Sequence, residues 1–258
     1  MIFVVSVSIL FAGIAHGLRA RPILGPPIML TGFDGVGVLI AFVVFTLAAT
    51  ALGPVFGVSL LITLLFRELG RVVAHQLLGH RHTRFRLIPH LSDEPISDRP
   101  HRSDGHVLFI ALMAPGFCVA PMVLAHLAAL VLTPGEPEIA DNFRIFAITC
   151  GAVNFICLLP FWPLDGGRCV RIAAASIWPA FAPAITVFMA SALAAAAFRT
   201  GSLALLILAG LGTYSLLRSS ASKRHPLDPD TAVVALAAYA FTLAAHFSGG
   251  WLLMSLYL

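Results

Sequence analysis

Three charged residues, Arg67, Glu68 and Arg71, interrupt an apolar stretch that reads Phe66-Arg67-Glu68-Leu69-Gly70-Arg71-Val72-Val73-Ala74-His75. On a helix, positions four apart share a face, so both arginines project together with Glu68 beside them. An arginine at the centre of a membrane helix costs about 2.5 to 3.5 kcal/mol on insertion scales, and two left unpaired roughly 5 to 7. The chemistry this demands is ion pairing, and arginine with carboxylate gives bidentate, charge-assisted pairs suited to a dry location. A second carboxylate of interest is Asp165, in Cys157-Leu158-Leu159-Pro160-Phe161-Trp162-Pro163-Leu164-Asp165-Gly166-Gly167. Two prolines in that stretch remove backbone donors and force extended backbone, so Asp165 follows a stiff turn at a helix end. His75 continues the face of Arg67 and Arg71, and His80 and His82 follow just beyond the helix. Imidazoles with a carboxylate are zinc-ligand chemistry; solvated histidines at a helix end account for the same residues.

The elements that position these groups are membrane helices. The chain is 258 residues long, 59% hydrophobic and 11% charged, with mean hydropathy +0.94. That profile excludes a soluble domain and describes an all-α polytopic membrane protein whose first partner is the lipid bilayer. About 20 apolar residues span the hydrocarbon core. Eight such spans are predicted, at 2–17, 36–52, 55–79, 107–132, 144–163, 178–198, 201–218 and 231–257. The first has small residues around His16 but lacks the basic start of a signal peptide. With the N-terminus outside, twelve of sixteen Lys and Arg fall in loops on one side, from Arg19 and Arg21 to Lys223 and Arg224. The opposite side holds Arg144, Arg199 and an acidic loop with Glu136, Glu138 and Asp141. The positive-inside rule makes the basic side cytoplasmic and puts both termini outside. If 36–52 and 55–79 were one broken helix, that orientation would fail downstream. The net charge of +4 thus reports topology, and nucleic-acid binding is excluded as a function class. Fifteen arginines against one lysine, with abundant alanine, suggest a GC-rich bacterial genome and hence a bacterial cytoplasmic membrane.

The longest stretch without a span, 80–106, opens with polar and apolar residues partly alternating through Arg84, Phe85, Arg86 and Leu87. Period-two alternation predicts a short strand or hairpin, followed by polar turns from Asp98 to Gly105. The four cysteines, Cys118, Cys150, Cys157 and Cys169, have no CxxC spacing and read as packing residues. The isolated His16, His126 and His246 read as helix-packing residues too. No internal repeat or long linker divides the chain, which is expected to form a single membrane domain over 1–258.

Glu68-Leu69-Gly70 within a helix, Gly79 at its end, Ala111-Leu112 and Pro115 in the next span, and Pro160 with Pro163-Leu164-Asp165-Gly166-Gly167 resemble the site-2 protease family. The likeness covers about residues 55–175, in the family's order, and implies a site-2-protease-like helix bundle with three core helices and a strand-like loop. Members are intramembrane zinc metalloproteases in which two histidines, four apart, and one Asp hold zinc while a Glu acts as general base on a bound water. By that resemblance Glu68 matches the base and Asp165 the third ligand. Arg67 and Arg71 stand at the two histidine positions. Arginine stays protonated and has no lone pair to offer, so the resemblance implies no zinc site here and no cofactor. The family's asparagines are also replaced: Cys157 stands eight residues before Asp165, with Asn154 one turn earlier, and Cys118 stands at the other position. Residues that shape backbone remain and polar residues that handle metal or substrate are gone.

Charge counting shows how such a fold could persist. Zinc with two neutral histidines, one Asp and one Glu sums to zero, and so do Arg67, Arg71, Asp165 and Glu68. The expectation is a salt-bridge cluster in a catalytically inactive, site-2-protease-like protein that binds a membrane partner or serves as accessory subunit of a complex. Two alternatives stand beside it. One is an active intramembrane metalloprotease with relocated ligands, His75, His80, His82 and Asp165; the other is a transporter or channel lined by the charged groups.

Overall fold

The structure is a computed structural model and describes residues 29–31, 35–80, 82–86, 97, 103–161, 164–178, 180–217 and 227–257. The predicted span at 2–17 lies outside the described residues. The elements in chain order are β1 (Met29–Thr31), α1 (Gly35–Leu52), α2 (Pro54–Leu77), β2 (Arg84–Arg86), α3 (Asp104–Leu132), α4 (Pro137–Cys157), α5 (Asp165–Ile177), α6 (Phe181–Thr200), α7 (Leu203–Leu217) and α8 (Pro229–Tyr257). They fall into two compact units, residues 1–100 with 120–150, and residues 101–119 with 151–258.

In the first unit, α1 and α2 are joined at Gly53, whose φ of 103° suits glycine, with Pro54 at the first helical position. A Cβ on Gly57 would stand 2.9 Å from both the ring and the carbonyl of Phe45. The two helices therefore fold back on one another in close contact, and the broken single helix over 36–79 does not occur. α2 ends in a Schellman motif. Gly79, at φ 79°, donates to the Gln76 carbonyl at 2.9 Å, and His80 donates its backbone N–H to the His75 carbonyl at 3.0 Å. β2 falls where alternation predicts a strand; it pairs in parallel with β1, in the register Met29↔Arg84 to Thr31↔Arg86. An antiparallel bridge links Thr83 and Ser97.

The second unit is built on close backbone approach. A Cβ on Gly151 of α4 would run into Gly249 and Gly250 of α8, and one on Gly250 into Gly151 and Ala152. Small residues let membrane helices reach this separation, where backbone contacts replace side-chain packing. Ala111, Leu158, Cys169, Val170, Ala174 and Tyr239 form one core cluster, and Leu159, Phe161, Ala190 and Leu208 another. His246 is fully buried, its Nε2 2.9 Å from the Pro115 carbonyl, which is the packing role expected of an isolated membrane histidine. The Tyr239 hydroxyl donates to the Leu158 carbonyl at 2.6 Å, holding the C-terminal end of α4. Tyr239→Phe should lower stability by about 1 kcal/mol, because a buried carbonyl loses its donor. Thermal denaturation in detergent measures this, and an unchanged midpoint would refute the anchoring role.

Among the described residues, four helical stretches are long and apolar enough to cross a membrane: Asp104–Leu132, Pro137–Cys157, Pro183–Thr200 and Pro229–Trp251. Shorter apolar helices cover Gly37–Leu52 and Leu203–Tyr214, and α2 has the length, 24 residues, but carries Arg67, Glu68 and Arg71. Large apolar side chains such as Phe42, Leu47, Phe188 and Phe198 point outward, as a lipid-facing surface requires. The two largest boundary differences from the sequence expectation are both in α4. α4 starts at Pro137 and not 144, because Glu138 lies in its first turn, where a carboxylate complements the helix dipole. It also ends at Cys157 and not 163, ahead of Pro160, which cannot continue the ladder. α5 was not anticipated as a helix. Its 13 residues are too few to cross a bilayer, and only one face is apolar.

Candidate functional site

Five polar residues recur every fourth position along α2: Ser59, Thr63, Arg67, Arg71 and His75. All are buried, and Glu68 beside them is 0% exposed. Neither guanidinium reaches the surface, with Arg67 2% and Arg71 4% exposed. Arg71 Nη1 donates to Glu68 Oε2 at 3.2 Å, a buried ion pair one turn apart on a single helix.

The capping geometry that ends α2 also sets the histidines. The motif turns His80 back onto His75, and the two rings meet edge-on with centroids 5.0 Å apart. His80 Nδ1 lies 2.5 Å from Ser97 Oγ, and both imidazoles are buried. His82 points outward. Among the described residues, no group of three or more His, Cys, Asp or Glu side chains is arranged to hold a metal ion. His75 and His80 thus lie together at the end of α2, while His82 is exposed.

In the second unit, Asp165 is the first residue of α5 and is 2% exposed. The turn before it is tightly specified. Phe161 N–H donates to the Leu159 carbonyl at 2.7 Å, Leu164 N–H to the Phe161 carbonyl at 2.8 Å, and Thr186 Oγ1 to the Pro160 carbonyl at 3.2 Å. A Cβ on Gly166 would overlap the Leu158 carbonyl, so only glycine lets α5 begin here. Asp165 thus sits at a helix N-terminus, where backbone N–H groups favour negative charge. Burial, and then the Asp165 carboxylate one turn away, push the Cys169 thiol well above its ordinary range, so it stays protonated. Cys118 is fully buried and donates to its own helix, to the Ala114 carbonyl at 3.5 Å. Cys157 is half-buried, and Asn154 is fully buried. The four cysteines are free thiols.

No family model and no curated protein matches the chain. Among solved structures it is similar to the Site-2 Protease from Methanocaldococcus jannaschii, at 15% identity and a TM-score of 0.44 over 81% of this chain and 97% of that one. This is a helical integral membrane protein. Its helices establish that much by length and composition. The structure brings Arg71 and Glu68 together, buries Arg67 on the same face, and sets Asp165 at the mouth of a helix in the other unit. Sequence reasoning missed Ser59 and Thr63, although their spacing from Arg67 was there to be counted.

The residues at the positions that the sequence resemblance matches to zinc ligands do not suit that metal. Two of those positions hold Arg67 and Arg71, cations without a donor lone pair, and Arg71 is hydrogen-bonded to the assigned base.

Proposed function

We propose that the chain is a site-2-protease-like membrane protein that has given up peptide hydrolysis and acts by binding, as an accessory subunit of a membrane complex. The observation that carries this reading is the 3.2 Å contact between Arg71 and Glu68. A general base must be free to take a proton from a metal-activated water, and here the carboxylate accepts from a permanent cation instead. The wider cluster expected from the sequence, Arg67 and Asp165 with that pair, is part of the proposal on the ground of charge balance alone.

The test combines metal content and cleavage. Zinc stoichiometry and hydrolysis of a model transmembrane peptide are measured for the natural protein, for Arg67→His with Arg71→His, and for that pair combined with Cys118→Asn and Cys157→Asn. The natural protein should bind no stoichiometric zinc and cut nothing. The double variant should gain zinc affinity through imidazole donors, and remain poor in cleavage because thiols at 118 and 157 hydrogen-bond weakly. Zinc-dependent cleavage by the natural protein, abolished by Glu68→Gln, would overturn the proposal.

A further inference from the structure

Helix α5 is too short to cross a bilayer, and its neighbours in the second unit show where it lies relative to one. Along α8, Val233, Val234, Phe241, Phe247 and Trp251 are exposed. The first and last of these are about 27 Å apart along a helix, close to the roughly 30 Å of a hydrocarbon core. Trp251 closes one end of that stripe, as an interfacial aromatic does. α5 packs beside the other end. Its Ile172 and Ala173 cluster with Ala232 and Leu108, and Ser176 Oγ accepts from the Leu227 N–H at 3.1 Å, just before α8 begins. Cys169, Val170 and Ala174 pack with Tyr239, further along the stripe. α5 therefore straddles the level at which α8 enters the apolar layer.

From Asp165 to Ala174 every residue of α5 is buried except Arg168 and Arg171, which are partly exposed. Three apart on a helix, the two arginines share its outward face. Their chain neighbours Cys169 and Ile172, packed with Tyr239 and Ala232, set the pair at the edge of the layer. Long cationic side chains reach from that depth to the headgroups. Ile177 and Trp178 follow, 46% and 60% exposed, with the Trp178 ring 6.2 Å from that of Phe181. Arginines beside exposed isoleucine and tryptophan are the chemistry of a surface at headgroup level. Asp228 and Asp230 are exposed at the start of α8, next to the Ser176 end of α5 and about 12 Å of helix from Arg168.

We infer that Arg168 and Arg171 bind the phosphate of an anionic phospholipid, with Ile177 and Trp178 bordering it in the lipid layer. Guanidinium groups match phosphate oxygens in a bidentate fork and keep their charge at any physiological pH. A zwitterionic headgroup brings a cation that the arginine pair repels, and an anionic one does not. An acidic protein segment offers similar charge but would have to be carried to this depth, where lipid already stands. The inference is independent of whether the chain cleaves peptides or joins a complex.

Lipid binding to the full chain in neutral detergent tests it, with bound lipids counted by native mass spectrometry. Phosphatidylglycerol and phosphatidylcholine are the two probes. The natural protein should hold one phosphatidylglycerol about tenfold or more tightly than phosphatidylcholine, at about fivefold per arginine. Arg168→Gln with Arg171→Gln should bring that preference to twofold or less, and each single change should remove part of it. Arg199→Gln, an exposed arginine in the last turn of α6, should leave it unchanged. An equal preference in the natural protein and the double variant would overturn the inference, as would no preference in the natural protein. A glutamate-rich peptide that displaced phosphatidylglycerol at lower concentration than the lipid itself would assign the face to protein and overturn it too. If the double variant fails to fold, Arg168→Gln alone decides.

Discussion

Glu68→Leu should lower stability by about 3 to 5 kcal/mol, more than any other single change on the polar face of α2. Removing one member of a buried ion pair leaves its partner charged and desolvated, a far larger penalty than the net worth of the pair. Glu68 is fully buried and accepts from Arg71 at 3.2 Å, with Arg67 buried immediately beside it. The double variant Glu68→Leu with Arg71→Leu should recover most of the loss, since neutralising both members often costs little. Denaturation midpoints in detergent for the natural protein, the two single variants and the double variant close the cycle. Equal and additive losses would mean that the two side chains do not depend on each other, and the ion pair would be incidental.

Gly166→Ala is the second large effect, for a steric reason. Its Cβ would fall on the Leu158 carbonyl, a backbone group that cannot turn aside and is already fixed by Tyr239. Overpacking of this kind costs about 1 to 3 kcal/mol, and more where backbone must move. The expected result is a loss at or above the top of that range, with poor recovery of folded protein. Gly116→Ala is the control: it is helical, and a Cβ there meets nothing within 4 Å. That change should be neutral or stabilising by about 0.5 to 1 kcal/mol, because alanine gives up less backbone freedom. If the two alanine variants behaved alike, the tight turn at Asp165 would not be sterically specified.

What the sequence made legible was set by the length of each physical signal. Helices α1 to α4 and α6 to α8 follow from apolar runs, whose interiors are unambiguous and whose ends are not. The start of α4 was placed late because Glu138 and Asp141 read as loop on hydropathy, although a carboxylate in a first turn is a helix signal. α5 escaped because hydropathy looks for 20 apolar residues, while this helix buries Cys169, Val170, Ile172, Ala173 and Ala174 and leaves Arg168 and Arg171 less covered. β2 was visible from alternation; β1, three residues with no distinguishing pattern, was not. At the site, Arg67, Glu68 and Arg71 announced themselves by charge. Ser59 and Thr63 did not, because a hydroxyl barely lowers the hydropathy of an apolar run. The edge-on contact of His75 and His80 depends on the positive φ of Gly79, a turn geometry that spacing alone could not convey.

The pairing of β1 with β2 carries a consequence for topology that is a matter of parity. Two strands hydrogen-bonded in register, Met29↔Arg84 through Thr31↔Arg86, must lie on the same face of the bilayer. The chain between them contains α1 and α2, folded back on each other at Gly53. Whatever crosses the membrane between Thr31 and Arg84 therefore crosses an even number of times. If α1 is a crossing, α2 is one as well, so its three charged residues do not release it to the surface. The short sheet thus works as a clasp, counting the hairpin in or out of the membrane as one piece.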